Sequence, residues 1–201
     1  MTDINAALGL VELERYDSDM LVKRKSIFDK YNALLSKYEW ANIPVYKTDD
    51  EIELIRQSSL LVGKTLAEVA SLVRPGVTPL ELDKRAYEFI HDHGAVPGFL
   101  NYNGFPNSLC ISKNEAVVHG IPDKKEVVDG DILSVDCGVL MNGYYGDSAY
   151  TFKVGEVSKE VDDLLETTKR SLMLGIEQAI AGNRVGDIGF AVQLEAEKMA
   201  T

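Results

Sequence analysis

The sequence predicts an α+β fold in which a small, hairpin-based sheet lies between two pairs of helices. Apolar residues recur with helical spacing over residues 49–94 and again from Ser158 onward. The segment between these regions is rich in β-branched and aromatic residues, which is typical of strands. Asn142-Gly143 within that segment is a strong signal for a two-residue hairpin loop. Helices and strands therefore occupy separate parts of the chain, as they do in α+β proteins.

The composition of the 201 residues is that of a soluble globular protein, with 45% hydrophobic and 26% charged residues. The net charge of −11 argues against a nucleic-acid partner, because phosphate binding needs a basic face. No apolar run approaches the roughly 20 residues of a membrane span. The N-terminus has no basic segment followed by an apolar one, so neither a signal peptide nor a membrane partner is predicted.

The two cysteines, Cys110 and Cys137, form no CxxC or zinc-type pattern. We interpret both as buried thiols in a reducing compartment and predict a cytoplasmic protein. A disulfide between them is the less favoured alternative.

Residues 1–46 predict a helical hairpin. Thr2 is a candidate N-cap for the first helix, and a second helix is predicted over residues 20–38, before Pro44 ends the pattern. One face of the second helix is apolar and carries Leu21, Phe28, Tyr31, Leu35 and Tyr38. We expect this face to pack on the rest of the chain or to mediate self-association.

Two more helices are predicted over residues 49–94. The first has an acidic start and a Pro-Gly stop. The second has Thr78 as its N-cap, Pro79 at its first position, Glu81 at the capping-box position and Gly94 at its end.

His91 and His93 fall in the last turn of that second helix. Side chains two positions apart on a helix do not share a face. These histidines are therefore expected to be exposed residues rather than a metal-binding pair.

Two aspartates flank the predicted hairpin loop. A two-residue loop at Asn142-Gly143 pairs Gly138 with Asp147 and Asp136 with Ala149. Asp136 and Asp147 then become diagonal neighbours on one face, with Cβ atoms roughly 7 Å apart. That spacing permits one or two divalent cations, since dinuclear sites hold their metals about 3.5–4 Å apart. The alternative is a hairpin with one solvated face and no bound metal.

Residues from about Thr48 to Gln193 resemble type I methionine aminopeptidases. The segments that carry the resemblance are DDEIELIRQSSLLVGKTL, RPGVTPLELDKRAYEFIHDHGA, FPNSLCISKNEAVVHGIPD, GDILSVDCGVLMNGYYGDSAYTF and GNRVGDIG. The resemblance implies half of a pita-bread (creatinase/aminopeptidase-like) fold over residues 47–201, behind the N-terminal helical hairpin. It also implies removal of the initiator methionine from nascent proteins, so the expected partners are their N-terminal Met peptides.

The resemblance implies roles for several residues. Asp136 and Asp147 match two ligands of a dinuclear site for Co, Mn, Fe or Zn. His119, in the HGIP segment, matches a histidine that contacts the substrate near its scissile bond, where a neutral imidazole can donate a hydrogen bond. The loop that helps line the methionine pocket matches Phe99, Tyr102 and Phe105, and aromatic rings pack well against a thioether sulfur.

The metal site is expected to be incomplete in this chain. In the family, the remaining ligands are two glutamates and a histidine in a GHGIG-like motif, whereas no histidine follows His119 here. Late glutamates such as Glu166, Glu177, Glu195 and Glu197 lie in helical patterns that do not match the ligand motifs. We therefore predict a chain truncated in the C-terminal half of the domain.

Residues 1–46 resemble a different family. The stretch MTDINAALGLVELERYDSDMLVKRKSIFDKYNALL is similar to a helical segment of the DegT/DnrJ/EryC1/StrS sugar aminotransferases, which use pyridoxal phosphate. None of the elements that hold that cofactor is visible in the sequence, so no pyridoxal phosphate is expected.

The predicted function is thus metal-dependent removal of N-terminal methionine with an incomplete site. The alternatives are an inactive fusion fragment and a pita-bread-like module that binds a partner.

Overall fold

The computed structural model describes residues 30, 48–180 and 182–198. The predicted hairpin over residues 1–46, and the domain boundary that follows it, fall outside this part of the chain apart from Lys30. Both remain predictions.

Helix α1 (Asp49–Ala70) and helix α2 (Pro79–Asp92) begin at full capping boxes. In α1 the Thr48 hydroxyl accepts a hydrogen bond from the Glu51 amide, and the Glu51 carboxylate accepts one from the Thr48 amide. Thr78 and Glu81 form the same pair at α2, as predicted. His91 and His93, at the end of α2, are exposed as expected.

The sheet has four antiparallel strands in the described residues: β1 (Val96–Pro97), β2 (Leu109–Lys113), β3 (Ile132–Met141) and β4 (Tyr144–Lys153). Strand β4 pairs with β3 along its whole length. Strands β2 and β1 pair with successive parts of β3 and therefore share its other edge. The central strand β3 thus has neighbours on both sides, and its side chains alternate between the two faces of the sheet.

Helices α1 and α2 cover one face of the sheet. From β3, the side chains of Leu133, Val135 and Val139 point to this face and are fully buried. The helices contribute Val62, Val69, Leu82, Ala86 and Ile90 to the same core. The opposite face carries Asp136 and Asp147, so the apolar core lies behind the sheet and supports the candidate site.

Helix α1 approaches the hairpin closely at Gly146. A Cβ atom added to Gly146 would lie 2.6 Å from the carbonyl carbon of Ser58. The Ser58 hydroxyl lies 3.0–3.1 Å from the carbonyl oxygens of Leu54, Met141 and Tyr144. The absence of a side chain at Gly146 therefore lets α1 pack directly on the hairpin and contact its loop end through Ser58.

Helices α3 (Lys159–Glu177) and α4 (Val185–Glu197) form a second antiparallel pair. They meet at Gly175, where an added Cβ would lie 2.8 Å from Val192. The buried carboxylate of Glu195 is paired with Lys198 and Arg170, and these partners lower its pKa. Glu195 therefore has a structural role between two cations. Within the described ranges, none of the helices is long and apolar enough to cross a membrane.

Candidate metal and substrate site

The hairpin places Asp136 and Asp147 on one face of the sheet. Asn142 and Gly143 both have positive φ angles, 53° and 81°, as a two-residue hairpin loop requires. Gly138 pairs with Asp147 and Asp136 pairs with Ala149, which is the predicted register. The two carboxylates are therefore diagonal neighbours, with Cβ atoms roughly 7 Å apart. Asp136 is half-buried and Asp147 is exposed.

Cys110 lies beside Asp136 on the same face. The two residues are direct partners across β2 and β3, and Cys110 is only 6% exposed. Burial, and then the charges of Asp136, Asp147 and Asp83, raise the pKa of the Cys110 thiol to about 11. The carboxylates of Asp136 and Asp147 create a negative field on this face, which favours a cation.

Cys137 differs from Cys110 because its side chain points into the core. It is fully buried, and this burial raises the pKa of its thiol. Both cysteines are free and buried, so the prediction of buried thiols is confirmed. The sequence did not predict that Cys110 lies close to the aspartates, because no local signal determines which strand β2 pairs with.

The carboxylate pair fits a divalent cation only in part. Carboxylate oxygens suit divalent metal ions, and the two aspartates approach from neighbouring strands. Among the residues that the structure describes, however, no group of three or more His, Cys, Asp or Glu side chains is placed to hold a metal ion. The described residues therefore supply part of a ligand set.

His119 lies in a loop held against the outer edge of β2. The Gly120 amide donates to the Ser112 hydroxyl at 3.0 Å, and the Ile111 amide donates to the Gly120 carbonyl at 2.9 Å. A Cβ on Gly120 would lie 2.2 Å from the Ile111 carbonyl oxygen, so this approach requires glycine. His119 itself is exposed and has a φ of 58°, in the left-handed region. The loop thus fixes the backbone of His119 while its side chain faces solvent.

A row of hydroxyl groups borders the aspartates on the side of this loop. Ser112, Ser134 and Thr151 are partners across three strands, and the Ser134 and Thr151 hydroxyls are 2.9 Å apart. They lie two positions along the strands from the row of Asp136, so they share its face. This end of the face is polar.

The predicted substrate loop reaches the same face through Phe99. The Gly98 amide donates to the Gly138 carbonyl at 2.7 Å. A Cβ on Gly138 would lie 2.6 Å from the Phe99 ring, so the ring lies directly over this glycine. Since Gly138 is the partner of Asp147, Phe99 is brought next to the carboxylate pair.

Tyr102 and Phe105 belong to a compact turn in the same loop. The Tyr102 amide donates to the Phe99 carbonyl at 2.9 Å, and the Phe105 amide donates to the Tyr102 carbonyl at 3.0 Å. Tyr102 is 68% exposed and Phe105 is half-buried. Of the three predicted pocket residues, the structure therefore places the Phe99 ring directly on the aspartate face.

Tyr145 extends the aromatic surface at this end. It lies two residues before Asp147 on the same face, and its ring is 3.3 Å from where a Cβ of Gly98 would be. The alternation of the hairpin indicates its face, but its proximity to the loop at Gly98 depends on the long-range pairing of β1.

A profile of metallopeptidase family M24 matches residues 53–201. The methionine aminopeptidase of Clostridium acetobutylicum is 48% identical over 150 residues, which is 74% of this chain and 60% of the relative. That of Clostridium perfringens is 46% identical over 153 residues, 76% of this chain and 61% of the relative. The chain thus spans about three fifths of the length of these relatives.

Solved structures agree with this assignment. A methionine aminopeptidase from Rickettsia prowazekii superposes with a TM-score of 0.73 at 37% identity, covering 77% of this chain and 62% of that one. A prolidase from Pyrococcus furiosus superposes with a TM-score of 0.64 at 19% identity, covering 76% of this chain and 44% of that one, and shows the fold alone. The fold is therefore part of a pita-bread domain, as expected from the sequence.

Proposed function

The chain belongs to metallopeptidase family M24, and from this premise we propose that it carries the aspartate part of a methionine aminopeptidase site. The reaction is removal of the N-terminal methionine from nascent proteins. The observation that carries the proposal is the register of the β3–β4 hairpin, which sets Asp136 and Asp147 on one face, next to the Phe99 ring.

Asp136 and Asp147 are the proposed ligands for divalent Co, Mn, Fe or Zn ions, two in a complete site. When bound, such ions polarise the peptide carbonyl and acidify water, so that a nucleophile forms near neutral pH. The two carboxylates offer at most four oxygen atoms, too few for two ions that each prefer four to six ligands. The remaining ligands must come from outside the described residues.

His119 is the proposed catalytic residue, as a hydrogen-bond donor to the substrate. A neutral imidazole at this position donates to a peptide oxygen and stabilises charge that develops there in the transition state. Its backbone is held by Gly120, through the Ser112 hydroxyl and the Ile111 amide. These bonds fix the backbone from which the His119 side chain projects before the substrate arrives.

The proposed methionine pocket is formed by Phe99, Tyr102 and Phe105. A thioether is flexible and polarizable, so it packs well against aromatic rings. The Phe99 ring, which lies over Gly138, is the wall nearest to the proposed metal ligands. A methionine side chain held there would bring its own peptide bond toward the aspartates.

A non-catalytic role is the second candidate. It is favoured by the lack of any three-ligand group in the described part of the chain and by the share of the relatives that the chain covers. In that case the aspartate face would serve partner binding, or the chain would be an inactive fusion with an aminotransferase-like segment at residues 1–46. No pyridoxal phosphate is required in either case.

Calorimetric titration with Mn²⁺ tests the proposed metal site. We expect weak binding of at most one ion to the whole chain, and its loss in Asp136→Ala. Asp92→Ala is the matched control, since Asp92 is an exposed carboxylate on α2, which covers the other face of the sheet. Identical curves for the wild type and Asp136→Ala would remove the hairpin from the proposal.

A further inference from the structure

Asp83 is a buried carboxylate whose hydrogen-bond donors lie at the start of β2. It lies on α2 and is 8% exposed. One carboxylate oxygen accepts from the amides of Ser108 and Leu109 at 2.9 and 2.8 Å. The other accepts from the Asn107 side chain at 2.8 Å. All three donors are uncharged, so the buried charge is stabilised by N–H groups that belong to a single segment.

The loop that precedes this segment is closed on itself. The Asn101 amide donates to the Phe105 carbonyl at 2.8 Å, and the Tyr102 amide donates to the Phe99 carbonyl at 2.9 Å. Asn101 and Asn103 have left-handed φ angles of 66° and 49°. These bonds shape the loop but do not attach it to the sheet.

The two ends of the loop provide that attachment. At its start, Gly98 is bonded to Gly138 of β3. At its end, Asp83 holds three consecutive residues, 107–109. The next residue is Cys110, the direct partner of Asp136. A displacement at Asp83 would therefore be passed both to the aromatic loop and to the strand beside the aspartate.

We propose that Asp83 is a positioning residue, which holds the loop of Phe99, Tyr102 and Phe105 against the aspartate face through Asn107, Ser108 and Leu109. The identification of this loop as a methionine pocket rests on the proposed function. The mechanical role of Asp83 does not. The two claims therefore need separate measurements.

Native-state hydrogen exchange of Asp83→Asn tests the mechanical role. Asparagine keeps the size of aspartate but loses the charge and replaces one acceptor oxygen with an NH₂ donor. The Asn107 side chain must then turn over to keep a hydrogen bond, and all three contacts lose the charge that strengthens them. We expect the amides of Asn101, Tyr102 and Phe105 to lose at least tenfold in protection, while amides of the β3–β4 hairpin keep theirs. Equal protection in both proteins, or one uniform loss across loop and hairpin, would overturn the proposal, since a merely structural residue changes global stability alone.

Asp131→Asn is the matched control. Asp131 is also a buried carboxylate, and it accepts from the Val128 amide and the Asn114 side chain, 2.9 and 2.8 Å away. It also pairs with Lys113. These contacts lie away from the aromatic loop, so loop protection should match the wild type. If Asp83→Asn fails to fold, Asn107→Ala removes one of the three donors, and it should lower loop protection by a smaller factor without affecting the hairpin. No change in Asn107→Ala would then count against the proposal.

Titration with L-methioninamide, followed by the amide resonances of the loop, separates this inference from the proposed pocket. Binding by wild type and Asp131→Asn that weakens at least tenfold in Asp83→Asn supports both claims. A loosened loop in Asp83→Asn without binding by any variant supports the role of Asp83 and overturns the pocket. Undiminished binding by Asp83→Asn with a loosened loop would overturn the pocket, whereas undiminished binding with a loop protected as in the wild type would overturn the positioning role.

Discussion

Gly146→Ala should destabilise the protein because the new methyl group meets the backbone of α1. The added Cβ would lie 2.6–2.7 Å from the carbonyl carbon and oxygen of Ser58 and the nitrogen of Ser59. Real Cβ contacts are longer than 3.0 Å, so α1 must move away from the hairpin. These are backbone atoms within a helix and cannot rotate out of the way.

The expected magnitude follows from two terms. Overpacking of this kind costs about 1–3 kcal/mol. Movement of α1 also breaks the contacts of the buried Ser58 hydroxyl with the Met141 and Tyr144 carbonyls, which adds about 1 kcal/mol. A loss of about 2–4 kcal/mol corresponds to a fall in Tm of roughly 5–15 °C for a domain of this size.

Gly138→Ala is the control on the same hairpin. Its Cβ would lie 2.6 Å from the Phe99 ring, which is a side chain that can turn away. We expect a stability change below about 1 kcal/mol, since strand propensity favours alanine over glycine and offsets part of the repacking. Gly138→Ala should instead displace Phe99 from the aspartate face.

Urea unfolding followed by circular dichroism measures both variants. The midpoint should fall in Gly146→Ala at an unchanged m value. Equal midpoints for Gly146→Ala and wild type would refute the argument from the close approach of α1. A larger loss in Gly138→Ala than in Gly146→Ala would show that Phe99 is fixed more firmly than a free side chain.

The remaining predictions concern the site and the first residues of the chain. The pKa of the Cys110 thiol is about 11 in place of 9.0, so Cys110 should react with iodoacetamide at pH 8 about 100-fold more slowly than a free thiol. Alkylation should be faster in Asp136→Asn, because one of the charges that raise this pKa is lost. Because the folded pKa is raised, the contribution of this thiol to stability is complete below pH 9 and is lost as the pH rises toward 11, which urea titrations between pH 8 and 11 would detect. With added Mn²⁺, the whole chain should hydrolyse Met-Ala-Ser no faster than Mn²⁺ alone. Addition of the separately expressed second half of a related enzyme should restore some activity in the wild type and none in Asp147→Asn. Robust turnover by the chain alone would refute the proposal that it holds only part of the metal ligands. Deletion of residues 1–45 should change the oligomeric state or solubility, measured by light scattering, and leave the Mn²⁺ affinity intact. An unchanged oligomeric state together with lost Mn²⁺ affinity would contradict the interpretation of the chain as two joined segments.

Local signals in the sequence determined much of this protein. The capping box of Thr78 and Glu81 marks the start of α2, because its hydrogen bonds join residues three positions apart. The loop at Asn142-Gly143 sets the register of the hairpin, and that register alone puts Asp136 and Asp147 on one face. These features depend on neighbours in the chain and need no knowledge of the rest of the fold.

Long-range contacts were decided only by the tertiary structure. The pairing of β2 with β3 places Cys110 opposite Asp136, and α2 brings Asp83 to the start of β2. Likewise, Phe99 reaches Gly138 only because β1 joins the same edge of β3 as β2. The apolar pattern of a strand shows which face it buries but not which strand it joins. That choice is made when the helices and the sheet pack together, and it is what assembles the loop, the thiol and the carboxylates on one face.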